Sequence, residues 1–405
     1  MLIRYGTYAL IFCQFRPGLA TIPPGIRTAW KSTRERPFNH HVSKESAVKQ
    51  INIGIIGTGW CGGIRAETCA ANPWVKHLHL AETRSERLAE VAKATNAVTA
   101  TADYRDLLKL SEIDACYISA TPETLHYPLA RECLLAGKHV FLEKPIALDL
   151  HEADDLIAIA REHGLKFTIG YSQRFNPKFA YVRKAIVDGT IGKPVSALVS
   201  RHITRGLGKK ITGRTKLSPA AMEATHDLDF VLWCLEPAKP IRVYSQVNYG
   251  ALRESTGADI PDNQWITVTM DSGLAFVVGG GWSLPPGYPN FSTTWIEMIG
   301  TEGAVMVDDS HRDVMLTTMQ NGMRLPMSSM PGEFVDHTFA GPMERETTHF
   351  LEAVALDKPV LVTPEQARQV MEVYIAADLS AERGEPVSLP LPESRRPAAV
   401  AGAIR

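Results

Sequence analysis

Residues 51–63 read INIGIIGTGWCGG. The run 51–56 is mostly apolar and rich in isoleucine, whose β-branch favours a strand, and so apolar a strand suits burial on both faces. The chain then turns through Gly57, Gly59 and Gly62, the spacing G-x-G-x-x-G. Gly57 permits a tight turn, Gly59 lets the backbone approach a pyrophosphate, and Gly62 lets the next helix pack close to the strand. That helix is expected over 60–71, with its free N–H groups facing the phosphates. Thr58, Trp60 and Cys61 therefore join the three glycines as candidate cofactor contacts. The motif alone is a weak signal and needs a strand before it, a helix after it and an acidic residue about 20 positions on. All three are present: a second strand, 75–81, ends at Glu82, placed to grip the adenosine ribose hydroxyls. Thr83 and Arg84 follow it as further candidates.

The 405 residues suffice for two domains, and a composition 45% hydrophobic and 21% charged is that of a soluble globular protein. A net charge of −1 gives no reason to expect nucleic acid or an acidic membrane surface as partner. No apolar run approaches a membrane span. Six cysteines without a C-x-x-C pair read as free thiols in a reducing compartment, with no metal site expected, and the location expected is cytoplasmic. Residues 1–49 differ: no acid precedes Glu35, while Arg4, Arg16, Arg27, Lys31 and Arg34 are basic. A disordered extension without catalytic consequence is expected there, and an organelle-import segment is the alternative.

From 51 to 169 apolar strands near 51–56, 78–81, 115–119, 139–142 and 166–169 alternate with helical patterns at 86–95, 124–136 and 150–163. Such alternation implies a parallel sheet with right-handed crossovers, whose ligands bind outside the carboxyl ends of the strands. The loops there carry Thr121, Pro122 and His126, then Glu143 and Lys144, then Arg174. The set G-x-G-x-x-G, T-P-x-x-x-H, A-G-K-H-V-x-x-E-K-P (136–145) and G-Y-x-x-R-F-x-P (170–177) resembles the Gfo/Idh/MocA family of nicotinamide-dependent oxidoreductases. The resemblance covers about 51 to 391. It implies an α/β fold: an NAD(P)-binding Rossmann domain, placed at 50–170, then an α+β domain at 171–391 with a large, mostly antiparallel open sheet. A frayed tail is expected from 392. It also implies a homo-dimer or homo-tetramer.

The residues of the second half agree. Strands are expected at 196–203, 241–247, 265–270, 274–278 and 293–299, separated by short turns, and two helices at 343–356 and 364–382. The basic, glycine-rich stretch 206–217 reads as a mobile loop near the pocket, or equally as a solvated surface loop. Residues 222–230, MEATHDLDF, open a helix on which Glu223, His226 and Asp229 share about one face, so that a carboxylate could orient the imidazole. The resemblance makes His226 the catalytic histidine. The carboxylate expected four residues before it falls at Met222, and Glu223 comes one residue later. It also places Glu143 by the nicotinamide ribose and Arg174 near cofactor or substrate.

Together these give an NAD(P)-dependent dehydrogenase acting on a secondary alcohol of a sugar, cyclitol or related polyol. His226 would take the hydroxyl proton while Lys144 polarises the oxygen; the reverse assignment stays open. Glu82 opposes a 2′-phosphate and Arg84 could hold one, so NAD is expected with NADP tolerated. Two alternatives share the fold: a glycosidase with an internal redox cycle on bound NAD, and a non-catalytic NAD or sugar sensor.

Overall fold

In the computed structural model β1 (Ile51–Ile56) is the central strand of a six-stranded sheet, and Ile51, Ile53 and Ile55 are wholly buried in it. The structure describes residues 49–212, 217–308, 314–325 and 332–392. The basic extension before residue 49, the tail from 393 and residues 213–216 of the glycine-rich stretch lie outside the described residues. After β1 come α1 (Trp60–Ala71), β2 (Val75–Ala81), α2 (Ser85–Thr95), β3 (Thr99–Thr101), α3 (Tyr104–Leu108) and β4 (Ala115–Ile118). Then follow α4 (His126–Leu135), β5 (His139–Leu142), α5 (Leu150–Glu162) and β6 (Phe167–Ile169). The strands run parallel in the order β3-β2-β1-β4-β5-β6. The winding reverses between β1 and β4, so the ligand crevice lies beyond their carboxyl ends. β3 and α3 were not anticipated: Thr99–Thr101 has no apolar run, and it is a strand because β2 offers it a free edge.

The second sheet follows α6 (Pro177–Val187). Its elements are β7 (Pro194–Thr204), α7 (Arg205–Thr212), a π-helical turn at Ala220–Ala224, α8 (Thr225–Leu235) and β8 (Pro240–Asn248). Next come α9 (Ala251–Thr256), β9 (Asn263–Met270), β10 (Ala275–Leu284), β11 (Ser292–Gly300) and β12 (Ala304–Asp308). Two hairpins follow, β13 (Leu316–Thr318) with β14 (Gly322–Arg324) and β15 (Glu333–Val335) with β16 (Thr338–Ala340). The chain closes with α10 (Pro342–Ala355), α11 (Pro364–Arg383) and β17 (Val387–Ser388). The order is β12-β11-β7-β10-β9-β8-β17, antiparallel except where β7 meets β10. β9 shows why one face is covered: Gln264, Ile266, Val268 and Met270 are buried, while Trp265, Thr267 and Thr269 between them are half-exposed. β10 runs past its expected end at 278 because Gly279–Gly281 are laddered to β9 and β7 on both sides.

The stretch expected as a mobile loop is instead partly helix. In α7, Leu207 and Ile211 lie one turn apart and pack in a cluster with Met222, Leu252 and Trp282. Gly208 allows this seat, since a Cβ there would come within 2.8 Å of the Trp282 Cβ. At the far end of the chain α10 returns to the parallel sheet, where Phe350, Leu351 and Val354 join Ile53, Tyr117 and Phe141 in one core. No helix among the described residues is long and apolar enough to cross a membrane.

Candidate active site

The glycine-rich turn has the shape its spacing demanded. Gly57 has φ +84°, and a Cβ on it would lie 2.7 Å from the Ser119 carbonyl oxygen. At Gly62 a Cβ would lie 1.9 Å from the carbonyl oxygen of Gly57. Both positions are thus closed by the protein itself. Gly59 is different: a Cβ there would meet only the tip of Arg84, at 3.9 Å. The space over Gly59 is therefore open, at the N-terminus of α1, where no side chain caps the helix. That is a cradle for a dinucleotide pyrophosphate, and the chain fits the group its motif implies. Trp60 is exposed beside it and Cys61 half-buried.

Thr58 does not face the crevice. It is fully buried, and its N–H and hydroxyl donate to Glu82 Oε2 at 2.9 and 3.2 Å. Arg84 closes on the same carboxylate, with Nε and its backbone N–H 3.0 Å from Oε1 and Nη2 3.0 Å from Oε2. Thr83 adds a hydroxyl 3.5 Å from Oε1. Burial alone would raise the Glu82 pKa, but the Arg84 side chain and the N–H groups of Arg84 and Thr58 hold it down to about 2. An ionised, donor-rich carboxylate stands at the end of β2, capped by a guanidinium whose side chain is 62% exposed.

His126 is a staple rather than a contact. It is buried, with Nδ1 2.7 Å from the Pro145 carbonyl oxygen and Nε2 3.1 Å from that of Ala120. It therefore ties the loop after β4 to the loop after β5, while Thr121 and Pro122 are exposed on the rim. Glu143 does not pair with Lys144. Its Oε1 accepts from Arg65 Nε at 2.9 Å and Nη2 at 2.7 Å. Lys144 Nζ instead donates to the Met222 carbonyl oxygen at 2.6 Å, spanning from the parallel sheet to the π-helical turn.

That contact brings Lys144 to His226. The imidazole is buried, stands edge-on to Tyr171 with ring centroids 5.8 Å apart, and has a buried Nδ1 with no hydrogen-bond partner. Burial, then the charges of Lys144 and Arg201, push its pKa well below the usual 6.5. The ring is neutral and able to accept a proton. No carboxylate among the described residues is hydrogen-bonded to it. Glu223 Oε1 accepts from Trp282 Nε1 at 2.9 Å, and Oε2 lies 3.7 Å from Arg201. Asp229 is gripped by Arg174 at 2.6 and 2.8 Å. The expected common helix face fails because Ala220–Ala224 is π-helical, which breaks the 100° step between Glu223 and His226. Arg174 is likewise not at the crevice: it is buried, and Nη1 also donates to Leu361 O at 3.0 Å and Gln366 Oε1 at 2.8 Å. It ties α8 to α11.

Arg65, Arg201, Tyr171 and Trp282 went unremarked in the sequence as parts of this site. Arg65 carried a signal, since an arginine on the buried face of an apolar helix requires buried counter-charge.

Family models match most of the chain: an oxidoreductase family NAD-binding Rossmann fold over residues 51–171, and the C-terminal α/β domain of the same family over 183–389. The chain belongs to the Gfo/Idh/MocA family. This oxidoreductase is 25% identical over 350 residues to myo-inositol 2-dehydrogenase of Thermotoga maritima, covering 84% of the chain and 98% of that protein. It is 26% identical over 345 residues to the NAD(+)-dependent scyllo-inositol 2-dehydrogenase of Bacillus subtilis, covering 84% and 96%. Its fold matches that of scyllo-inositol dehydrogenase from Lactobacillus casei, solved with NAD(H) and scyllo-inositol, with a TM-score of 0.73 at 22% identity over 84% of this chain and 99% of that one. The cofactor of this family member is NAD, held by the domain that begins at β1.

Proposed function

We propose that this oxidoreductase removes hydrogen from a secondary carbinol of a cyclitol or related polyol, with Lys144 and His226 as its catalytic residues. The observation that carries this is their convergence: Lys144, at the end of β5, reaches the Met222 carbonyl four residues before His226. NAD, when bound, accepts the hydrogen and electron pair leaving the carbinol carbon. Lys144 has two further N–H donors with which to hold the carbinol oxygen beside the imidazole. The neutral imidazole of His226, its pKa lowered by burial and by the Lys144 and Arg201 charges, receives the hydroxyl proton. Glu223 acts at one remove, through Trp282 and Arg201. The inositol dehydrogenases among the relatives favour a cyclitol within the polyol class. The test is nicotinamide absorbance after mixing protein and NAD with a panel of cyclitols, aldoses and sugar acids. A rise with one class supports the reading; no rise with any, in a sample shown to bind NAD, overturns it.

Arg84 sets how far NADP is tolerated. Free of Glu82, its guanidinium can take a 2′-phosphate; paired with it, the carboxylate faces the ribose hydroxyls. Arg84→Ala should weaken NADP binding about tenfold, the worth of one exposed charge-assisted contact, and leave NAD binding near its starting value. Equal losses for both cofactors in calorimetric titration would refute this. The half-exposed sheet face suits a homo-dimer or homo-tetramer, since Tyr244, Trp295 and Met306 stand out on it. A single-chain mass in sedimentation would exclude that.

A further inference from the structure

The Arg65 guanidinium is the centre of a buried ionic cluster that the reaction as described does not use. Its side chain is 1% exposed and lies over the Phe141 ring, 4.0 Å from the centroid. Nε and Nη2 hold Glu143, Nη2 also donates to Glu346 Oε2 at 2.8 Å, and Nη1 donates to Thr347 Oγ1 at 2.9 Å. Glu346 is as deeply buried as Arg65, and its Oε1 has no hydrogen-bond partner. Two carboxylates thus share one guanidinium, and with both ionised the cluster, whose Glu143 is the chain neighbour of Lys144, carries a surplus negative charge. Removing that charge from water is costly, and the Arg65–Glu143 pair alone would have been neutral. Some gain at the site should offset it. Oxidised nicotinamide is a cation and reduced nicotinamide is neutral, so a fixed negative charge nearby discriminates between them.

We propose that Glu346 is a positioning residue for the cofactor: through Arg65 it fixes the Glu143 carboxylate, and its charge favours the oxidised nicotinamide over the reduced one. The proposal rests on the reading that the Glu143–Lys144 loop faces the nicotinamide. The charged and titratable groups around Glu346 are Arg65 and Cys61 of α1, Tyr117 of β4, Glu143 after β5, and Asp229 of α8. Burial raises the Glu346 pKa to about 7, with Glu143 and Asp229 adding to it and Arg65 opposing it. Cys61 is pushed up to about 12 and Tyr117 well above its usual range, so neither changes charge near neutrality, where Glu346 does.

The experiment is calorimetric titration of the full chain with NAD and with NADH, without polyol, in mildly acid and mildly alkaline buffer. As pH falls through neutrality Glu346 gains a proton, the surplus charge vanishes, and the ratio of NAD Kd to NADH Kd should rise on the order of tenfold, the effect of one charge about 10 Å away at an effective dielectric near 20. Glu346→Gln should show the raised ratio at both pH values, and Glu346→Asp should restore the pH dependence. A purely structural Glu346 would shift both Kd values together, so an unchanged ratio in Glu346→Gln overturns the proposal. Should that variant not fold, a pH-independent ratio in the unaltered protein overturns it equally. Failure to bind either cofactor would defeat the cofactor reading itself, an outcome distinct from binding with a constant ratio.

Discussion

Lys144→Ala is expected to lower kcat by about 10²–10⁴-fold, the range over which a positioned acid–base group contributes. NAD affinity should stay near its original value. The ammonium is placed by the end of β5 on one side and by the Met222 carbonyl on the other, 2.6 Å away. Its loss removes the donor that holds the carbinol oxygen, which matters most as the proton departs. Lys144→Arg should not rescue, because a planar guanidinium cannot present the same compact point charge at that distance. His226→Asn should cost a comparable factor. A pH profile separates the two roles. The acid limb of kcat/KM should lie below pH 6.5, since burial and the Lys144 and Arg201 charges depress the imidazole pKa. Removing the Lys144 charge should move the limb of the residual activity upward. Wild-type turnover in both alanine or asparagine variants would end this mechanism, and a downward move of the limb would exclude His226 as the group observed.

Gly62→Ala should abolish NAD binding by disrupting the turn itself. The added methyl would sit 1.9 Å from the Gly57 carbonyl oxygen, and also 3.1 Å from the Ser119 Cβ. Ordinary overpacking costs about 1–3 kcal/mol, and here the obstacle is backbone, which cannot rotate aside as a side chain can. A thermal transition lowered by several degrees is expected. Gly59→Ala is the informative contrast, because nothing closer than 3.9 Å meets its Cβ in the protein. It should fold with an unchanged transition and still bind NAD poorly, since the methyl enters space meant for phosphate. An unchanged melting temperature for Gly62→Ala, or normal NAD affinity for Gly59→Ala, would show that the turn is not shaped as described.

These contrasts mark what could be read from residues in a row. The strand, glycine turn and helix of 51–71 are local, and so are the alternating strands and helices that follow them. Loops at strand ends were identifiable too, which is why Glu143, Lys144 and His126 were candidates at all. Partnership was not legible. Glu143 chooses Arg65 over its neighbour Lys144, Arg174 chooses Asp229 over the crevice, and Glu223 chooses Trp282 over His226. Each choice is made across 55 to 78 residues. A one-residue departure from α-helical spacing at Ala220–Ala224 was enough to separate a carboxylate from the histidine it seemed to face. Helix α7 was missed because Gly206 and Gly208 look like loop residues until Trp282 is set against Gly208.

The return of α10 to the parallel sheet has a consequence for how the chain is made. Arg65 is 281 residues from Glu346 and 282 from Thr347, and Tyr117 donates to the Thr347 carbonyl oxygen at 2.7 Å. A nascent chain emerging N-terminus first holds the cofactor segment long before it holds these partners. Until α10 is synthesised, Arg65 cannot be buried against a full complement of counter-charge, and Phe141 and Tyr117 lack the ring of Phe350 that packs on both. The segment that binds NAD is therefore translated well before the helix that completes it, and it waits on α10 for its last packing partners.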